Sequence, residues 1–260
     1  MENRNNLSGV ASIRVVGVAI LVLLAIGLPV IWPATASADF VRDIVMIDVL
    51  SPHGQDSFAW NPHIPDPAFE KIQAALEKKE FRTDSGELLG TIDSLDIDFD
   101  GDPLIKIGLS ATAGSADTTF TISSALLTFD TLTDPIGGAF AAFGLNDVGP
   151  DPGAFLVPVD PATSLFMAEY NDGTLFSELI GGIEFDTPGG SEIATSAHGP
   201  VVIPGGVDNI QGKLGFTLSG GDSVSAHVRF EVVPIPEPAS LAMLAVGALG
   251  LLMCCRRWRP

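Results

Sequence analysis

Leu95-Asp96-Ile97-Asp98-Phe99-Asp100-Gly101-Asp102-Pro103-Leu104-Ile105-Lys106-Ile107-Gly108-Leu109 decides the fold. Leu95, Ile97 and Phe99 alternate with Asp96 and Asp98, the period of a strand with one buried and one wet face. Asp100-Gly101-Asp102-Pro103 supplies turn chemistry, and an apolar run from Leu104 to Leu109 returns. One strand, one turn and one strand back make an antiparallel pair.

The same reading extends from Glu87 to Val233. Thr118 to Phe129 is a Thr- and Ser-rich strand with Phe120, Ile122, Leu127 and Phe129 as core candidates. Short strands are expected around Phe140 to Leu145 and Phe155 to Val157. Leu165 to Tyr170 and Thr174 to Ile180 flank Asn171-Asp172-Gly173, the clearest hairpin turn in the chain. Glu192 to Ala197, Pro200 to Ile203, Ile210 to Leu218 and Ser223 to Val232 complete the set. Upstream, Asp43 to Leu50 reads as a strand, and the prolines between Ser51 and Pro65 predict an irregular loop. One short amphipathic helix is expected near 66–82. Asp66 caps it, Pro67 opens it, Phe69, Ile72, Gln73 and Leu76 follow at spacings of three and four, and Asp84-Ser85-Gly86 stops it.

Many short strands with recurrent turns and little helix predict a mainly β chain: an antiparallel β-sandwich, jelly-roll-like or Ig-like. No repeat of fixed length points to a solenoid.

Charge divides the chain in three. Residues 39–237 hold 8 Lys and Arg against 31 Asp and Glu, a net charge of −23, while five Arg sit in the flanks. So acidic a body leaves no basic face for phosphates and excludes nucleic acid as a partner. The two cysteines, Cys254 and Cys255, are adjacent near the C-terminus, so the body has no thiolate chemistry and no disulfide.

The N-terminal segment, 1–38, reads as a signal peptide with a hydrophobic helix. Arg4 and Arg14 precede an uncharged apolar run from Val15 to Trp32, and Ala36 and Ala38 occupy the −3 and −1 positions of a cleavage site. Cleavage there leaves Asp39 as the mature N-terminus; without it the run is an anchor. The C-terminal segment, 234–260, carries Pro236-Glu237-Pro238, a second apolar stretch from Leu241 to Cys255, and a terminal cluster of Arg256, Arg257 and Arg259. An apolar helix followed by arginines spans a bilayer with the positive charge inside. The prolines keep the preceding segment extended.

This order of motif, hydrophobic helix and arginine cluster resembles the PEP-CTERM sorting signal of exopolysaccharide-producing bacteria. The resemblance implies recognition and processing by an exosortase, a membrane cysteine transpeptidase, after export by the secretion machinery. It also implies transient anchoring in the inner membrane, then release or attachment at the cell surface. An ordinary C-terminal membrane anchor is the alternative. The stretch from Ile92 to Val233 is also similar to bodies that accompany such tails. Three segments carry that likeness: the Asp-Gly-Asp-Pro turn, Ala113 to Phe120, and the Phe216-to-Ser223 strand end. It implies no activity.

Two clusters have the residue types for metal binding. Asp96, Asp98, Asp100 and Asp102 with Gly101 spell the opening of a calcium loop, but position eight is Pro103 and position twelve Ile107, where a bidentate acid belongs. A hairpin with outward carboxylates is the competing reading. His53, Asp56, His63 and Asp66 share one loop without the spacing of a known metal motif. No G-x-S-x-G elbow is present, and Trp60 and Tyr170 are the body's only aromatics besides phenylalanine. The chain is therefore expected to be a non-catalytic surface or extracellular-matrix structural protein of a biofilm type, with exopolysaccharide as a possible neighbour and no cofactor. A secreted module binding carbohydrate or calcium is the alternative.

Overall fold

The computed structural model describes residues 39–40, 44–62, 71–150, 153–160 and 163–235. The expected terminal helices, the cleavage residues Ala36 and Ala38 and the sorting residues Pro236, Glu237, Pro238, Arg256, Arg257 and Arg259 lie outside them.

Among the described residues, seventeen strands form two antiparallel sheets. The first sheet contains β1 (Asp39–Phe40), β2 (Val45–Ser51), β3 (Gly54–Trp60), β8 (Thr118–Ser124), β9 (Leu127–Thr133) and β16 (Gly206–Leu218). Also in it are β11 (Ala154–Pro158), β12 (Phe166–Tyr170), β13 (Thr174–Leu179) and β14 (Ile183–Phe185). Strand β16 is its spine, pairing with β8 and β9 on one side and β11 and β12 on the other. The second sheet runs β15 (Ser191–Val202), β10 (Ile136–Asn146), β17 (Ser223–Val233), β7 (Leu104–Ala113), β6 (Leu88–Asp100). Its far edge is split between β4 (Lys71–Leu76) and β5 (Lys79–Arg82).

Alternation builds the core. Leu95, Ile97 and Phe99 of β6 and Ile105, Ile107 and Leu109 of β7 point inward and are buried. Phe120, Ile122, Leu127 and Phe129 bury the inner face of the opposite sheet, as expected. The sheets meet through aromatic contacts: Phe143 lies edge-on to Phe216 at 6.3 Å, and Phe176 stacks on Phe230 at 5.1 Å. Phenylalanines at such spacings interlock two sheets more tightly than aliphatic packing alone.

Two sheets built from one chain require it to cross between them. Four crossings lie at one end: β7 to β8, β10 to β11, β14 to β15, and β16 to β17. Two buried aspartates tie them together. Asp222 accepts the backbone N–H groups of Val148 (3.0 Å) and Gly149 (2.9 Å) on one oxygen and the Ser219 hydroxyl on the other. Asp147 accepts those of Gly153 (3.1 Å) and Gly189 (2.9 Å). Backbone bonds join the remaining crossing: Gly221 N–H donates to Gly114 C=O at 2.7 Å and Ala113 N–H to Asp222 C=O at 3.0 Å. Gly114 packs so tightly that a Cβ would lie 2.5 Å from the Leu88 carbonyl oxygen, so only glycine fits.

Three expectations are corrected. The helix near 66–82 is strand over its described part, with β4 and β5 from Lys71 to Arg82; residues 66–70 lie outside the described residues. Ile72, Ala74 and Leu76 recur at period two as well as fitting a helical stripe. Pairing with the otherwise open edge of β6 satisfies the backbone and decides between the two. The loop expected from Ser51 to Pro65 contains β3, a seven-residue partner of β2. Two of its prolines, Pro52 and Pro62, lie outside the strand, with Gln55-Asp56-Ser57-Phe58 alternating between them, and the third, Pro65, lies outside the described residues. Finally, Glu192 to Ala197 and Pro200 to Ile203 belong largely to one strand, β15, whose register shifts near Gly199.

Asp222→Ala strands buried N–H donors, so the unfolding free energy is expected to fall by about 3 kcal/mol. Asp147→Ala is expected to lower it by about 2 kcal/mol. Urea unfolding checks both: the midpoint moves down while the slope holds. A midpoint within error of wild type contradicts the bracing role.

Candidate functional site

The two ends of the body have different work. At the crossing end, two segments singled out in the sequence, Ala113 to Phe120 and Phe216 to Ser223, meet directly: Gly220 N–H donates to Asp117 Oδ1 at 3.2 Å. Thr118, fully buried, donates its hydroxyl to the Leu89 carbonyl at 2.7 Å. Their shared purpose is bracing.

The opposite end is where the C-terminal segment leaves. Strand β17 runs to Val233, paired through Ile136, and Val232 N–H donates to the Pro103 carbonyl at 2.9 Å. The Asp-Gly-Asp-Pro turn thus clamps the last residues of the body. Asp102 N–H donates to Asp100 Oδ1 at 3.2 Å, closing that turn on itself. Pro234 and Ile235 follow, exposed, and the Pro236-Glu237-Pro238 motif comes next in the chain.

Asp96, Asp98 and Asp100 project from one face of β6, where residues two apart are about 7 Å apart. An extended strand does not wrap oxygens around a point as a calcium loop does. Neighbouring strands bring two lysines instead. Lys106 of β7 lies 3.1 Å from Asp98, and Lys71 of β4 lies 3.3 Å from Asp98 and 3.7 Å from Asp100. Burial pushes the Asp98 carboxyl up, but hydrogen bonds from Lys106, Lys71 and Gln73 outweigh it and hold it below the ordinary carboxylate value. Asp102 sits apart in the turn, and Ile107 is in the core. Among the described residues, no three His, Cys, Asp or Glu side chains converge on a point that would hold a metal ion.

The second cluster separates. His53 pairs with Glu87 at 3.2 Å, while Asp56 accepts the N–H groups of Ser57 and Arg82. His63 and Asp66 lie outside the described residues.

Gln73, Asp96, Asp98, Lys106, Gly108 and His227 line a shallow trough of about 540 Å³ on the outer face of the second sheet. Gly108 forms its floor between Asp96 and His227, its partners across the ladder. No aromatic side chain of Phe, Tyr or Trp lines it. His227 points outward, as expected from its strand position.

Residues 234–257 match the family model of the PEP-CTERM protein-sorting motif. The chain carries a PEP-CTERM sorting signal. That signal marks it for exosortase-dependent export to the cell envelope or surface. No curated protein matches the sequence. Among solved structures, similar ones include the enzymatically active domain of tailspike protein 4 of bacteriophage CBA120: 7% identity, TM-score 0.27, covering 63% of this chain and 19% of that one. A family 61 carbohydrate-binding module, TmCBM61, solved with β-1,4-galactotriose, is 11% identical with a TM-score of 0.24. The match covers 50% of this chain and 71% of that one. The C-terminal CBM6 of the laminarinase LamC from Zobellia galactanivorans is 13% identical with a TM-score of 0.18, covering 62% and 97%. Likeness this slight carries no argument about ligand or activity.

Sequence reading picked out the acidic face of β6 but missed Lys71, which it placed on a helix. Lys71 lies 27 residues before Asp98 in the sequence, and only the β4–β6 register shows that they meet.

A depressed carboxyl contributes stability above the unfolded pKa and loses it as pH falls through the folded value. Wild type is therefore expected to lose Asp98-dependent stability below about pH 4. Asp98→Asn is expected to be destabilised by about 1 kcal/mol at pH 7 and to show a flatter acid limb. Parallel acid limbs in thermal melts of the two proteins contradict the paired-lysine account.

Proposed function

We propose that this chain is a non-catalytic structural protein of the cell surface or extracellular matrix. On this reading it is exported through an N-terminal signal peptide cleaved after Ala38 and sorted through its PEP-CTERM tail. The body is a two-sheet β-sandwich that is delivered folded. The observation that carries this reading is the position of the sorting motif, directly after the last core strand. Only seven residues, Pro234 to Ser240, separate that strand from the apolar run, a reach of at most about 24 Å. A body tethered so closely lies against the bilayer until the tail is cut, and cutting near Pro236 removes the apolar stretch without touching the core.

The placement of Asp39 and Phe40 in β1, paired with Thr128 and Leu127, supports cleavage after Ala38, because the mature chain then begins with a strand. The acidic surface suits a secreted protein that must stay dispersed. Exopolysaccharide is the neighbour this destination implies. The alternative, a module binding carbohydrate or calcium, has less support: the trough lacks an aromatic platform, and Lys71 and Lys106 hold the carboxylates. An enzyme has less still, since the buried acids Asp147 and Asp222 are spent on backbone N–H groups.

In the native host, deleting residues 236–260 is expected to abolish tail processing and surface association while the body still folds and is exported. Replacing Arg256, Arg257 and Arg259 with Glu is expected to leave the tail unprocessed, because the inward-facing charge is reversed. Fractionation with a body-directed antibody reads both. Normal surface levels of the truncated protein overturn the sorting role.

A further inference from the structure

The second sheet has two edges, and they are treated in opposite ways. One is split into β4 and β5, and Lys71, Lys78, Lys79 and Arg82 lie along it, four of the body's eight Lys and Arg. It is also covered: Arg82 N–H donates to Asp56 of β3 at 3.1 Å, and Lys79 sits 4.7 Å from the Phe58 ring centre. Broken strands, cations and a cover are the usual protections against edge pairing.

The other edge is one continuous strand, and its protections lie toward one end: Pro200, the register shift near Gly199 and the Phe176 ring 5.1 Å from His198. Strand β15 is twelve residues long, and among the described residues β10 is its only ladder partner. It contains no Lys or Arg, and its one carboxylate is Glu192, near one end. Only Ala194 and Ser196 are half-buried; every other residue of the strand is exposed. Ile193 stands 75% exposed and Val202 47%. The outer face beside this edge is uncharged as well. Phe140, Ala142 and Gly144 of β10 face Ala197, Thr195 and Ile193 of β15 across the ladder. On β17, the next strand, Arg229 and Glu231 are paired with each other.

We propose that the free edge of β15 is where two copies of this chain pair, edge to edge and antiparallel, extending the sheet across a twofold axis near Ser196 and Ala197. Charge selects the occupant. A body of net −23 repels its own copies over most of its surface. This strip is where that repulsion is weakest, and antiparallel pairing places the two Glu192 side chains at opposite ends of the joint ladder. A self-complementary patch on a twofold axis closes as a dimer. The inference rests on the body alone, so the fate of the sorting tail does not bear on it.

Cysteine scanning tests it on the full chain, in the native host, with Cys254 and Cys255 replaced by Ser. Single cysteines are placed at each position from 193 to 201, with Gln73→Cys on the guarded edge as control, and cell envelopes are oxidised with diamide. Self-crosslinking needs Cα atoms within about 7 Å, so antiparallel pairing restricts it to positions beside the axis. The expected result is a covalent dimer that peaks near Ser196 and Ala197, fades toward both ends and is absent for Gln73→Cys. Adding Thr195→Lys on the same edge is expected to reduce the peak at least tenfold. Three results overturn the proposal: monomer at every position in protease-resistant, folded protein; crosslinking at every position, which marks parallel pairing; or equal yield from Gln73→Cys.

Discussion

The chain crosses between its sheets four times at one end; two buried carboxylates hold three of those crossings, and backbone hydrogen bonds join the fourth. Asp222, 2% exposed, accepts the N–H groups of Val148 and Gly149 from more than seventy residues away, and Asp147, 6% exposed, accepts those of nearby Gly153 and distant Gly189. A buried charge is tolerated only where such donors surround it, and the loops keep their shape only while the charge is there. The shared core then follows. With the crossings fixed, Phe143 meets Phe216 and Phe176 meets Phe230, and alternation on every strand has an inside to point to. The opposite end is free to serve as the exit for the tail, clamped by the Asp-Gly-Asp-Pro turn at Val232.

What was legible in the sequence was what local pattern controls. The β6–β7 pair, the Asn171-Asp172-Gly173 turn with positive φ at all three residues, and the buried alternate positions of β8 and β9 follow from period and turn chemistry. What was not legible depends on partners distant in sequence. Lys71 to Leu76 satisfies both a helical and a strand pattern, and only the open edge of β6 settles it. The prolines around β3 read as loop because they bracket a strand instead of interrupting it. At the acidic cluster, the aspartates are neighbours in sequence but their lysines are not, so a hairpin face with paired charges spelled the first half of a calcium loop. Asp222 stood within a segment singled out in the sequence, yet its burial depends on Val148 and Gly149, more than seventy residues away.

Electrostatics links the body to its destination. Acid covers the surface, cations gather where one sheet edge must be kept from pairing, and the strip along β10 and β15 is left without charge. A dispersed secreted protein needs the first two features. On the proposed reading, the third gives it a defined place to meet a copy of itself, which a matrix component can use.

The account's central claim is that the working protein is the β body with both terminal segments removed. Intact-mass spectrometry of the protein from the cell surface and medium of its native host tests this most directly. The account predicts a chain beginning at Asp39 and ending near Pro236 to Pro238, free or with an attached surface group. A mass that retains the sequence through Pro260 makes the protein membrane-anchored and contradicts it.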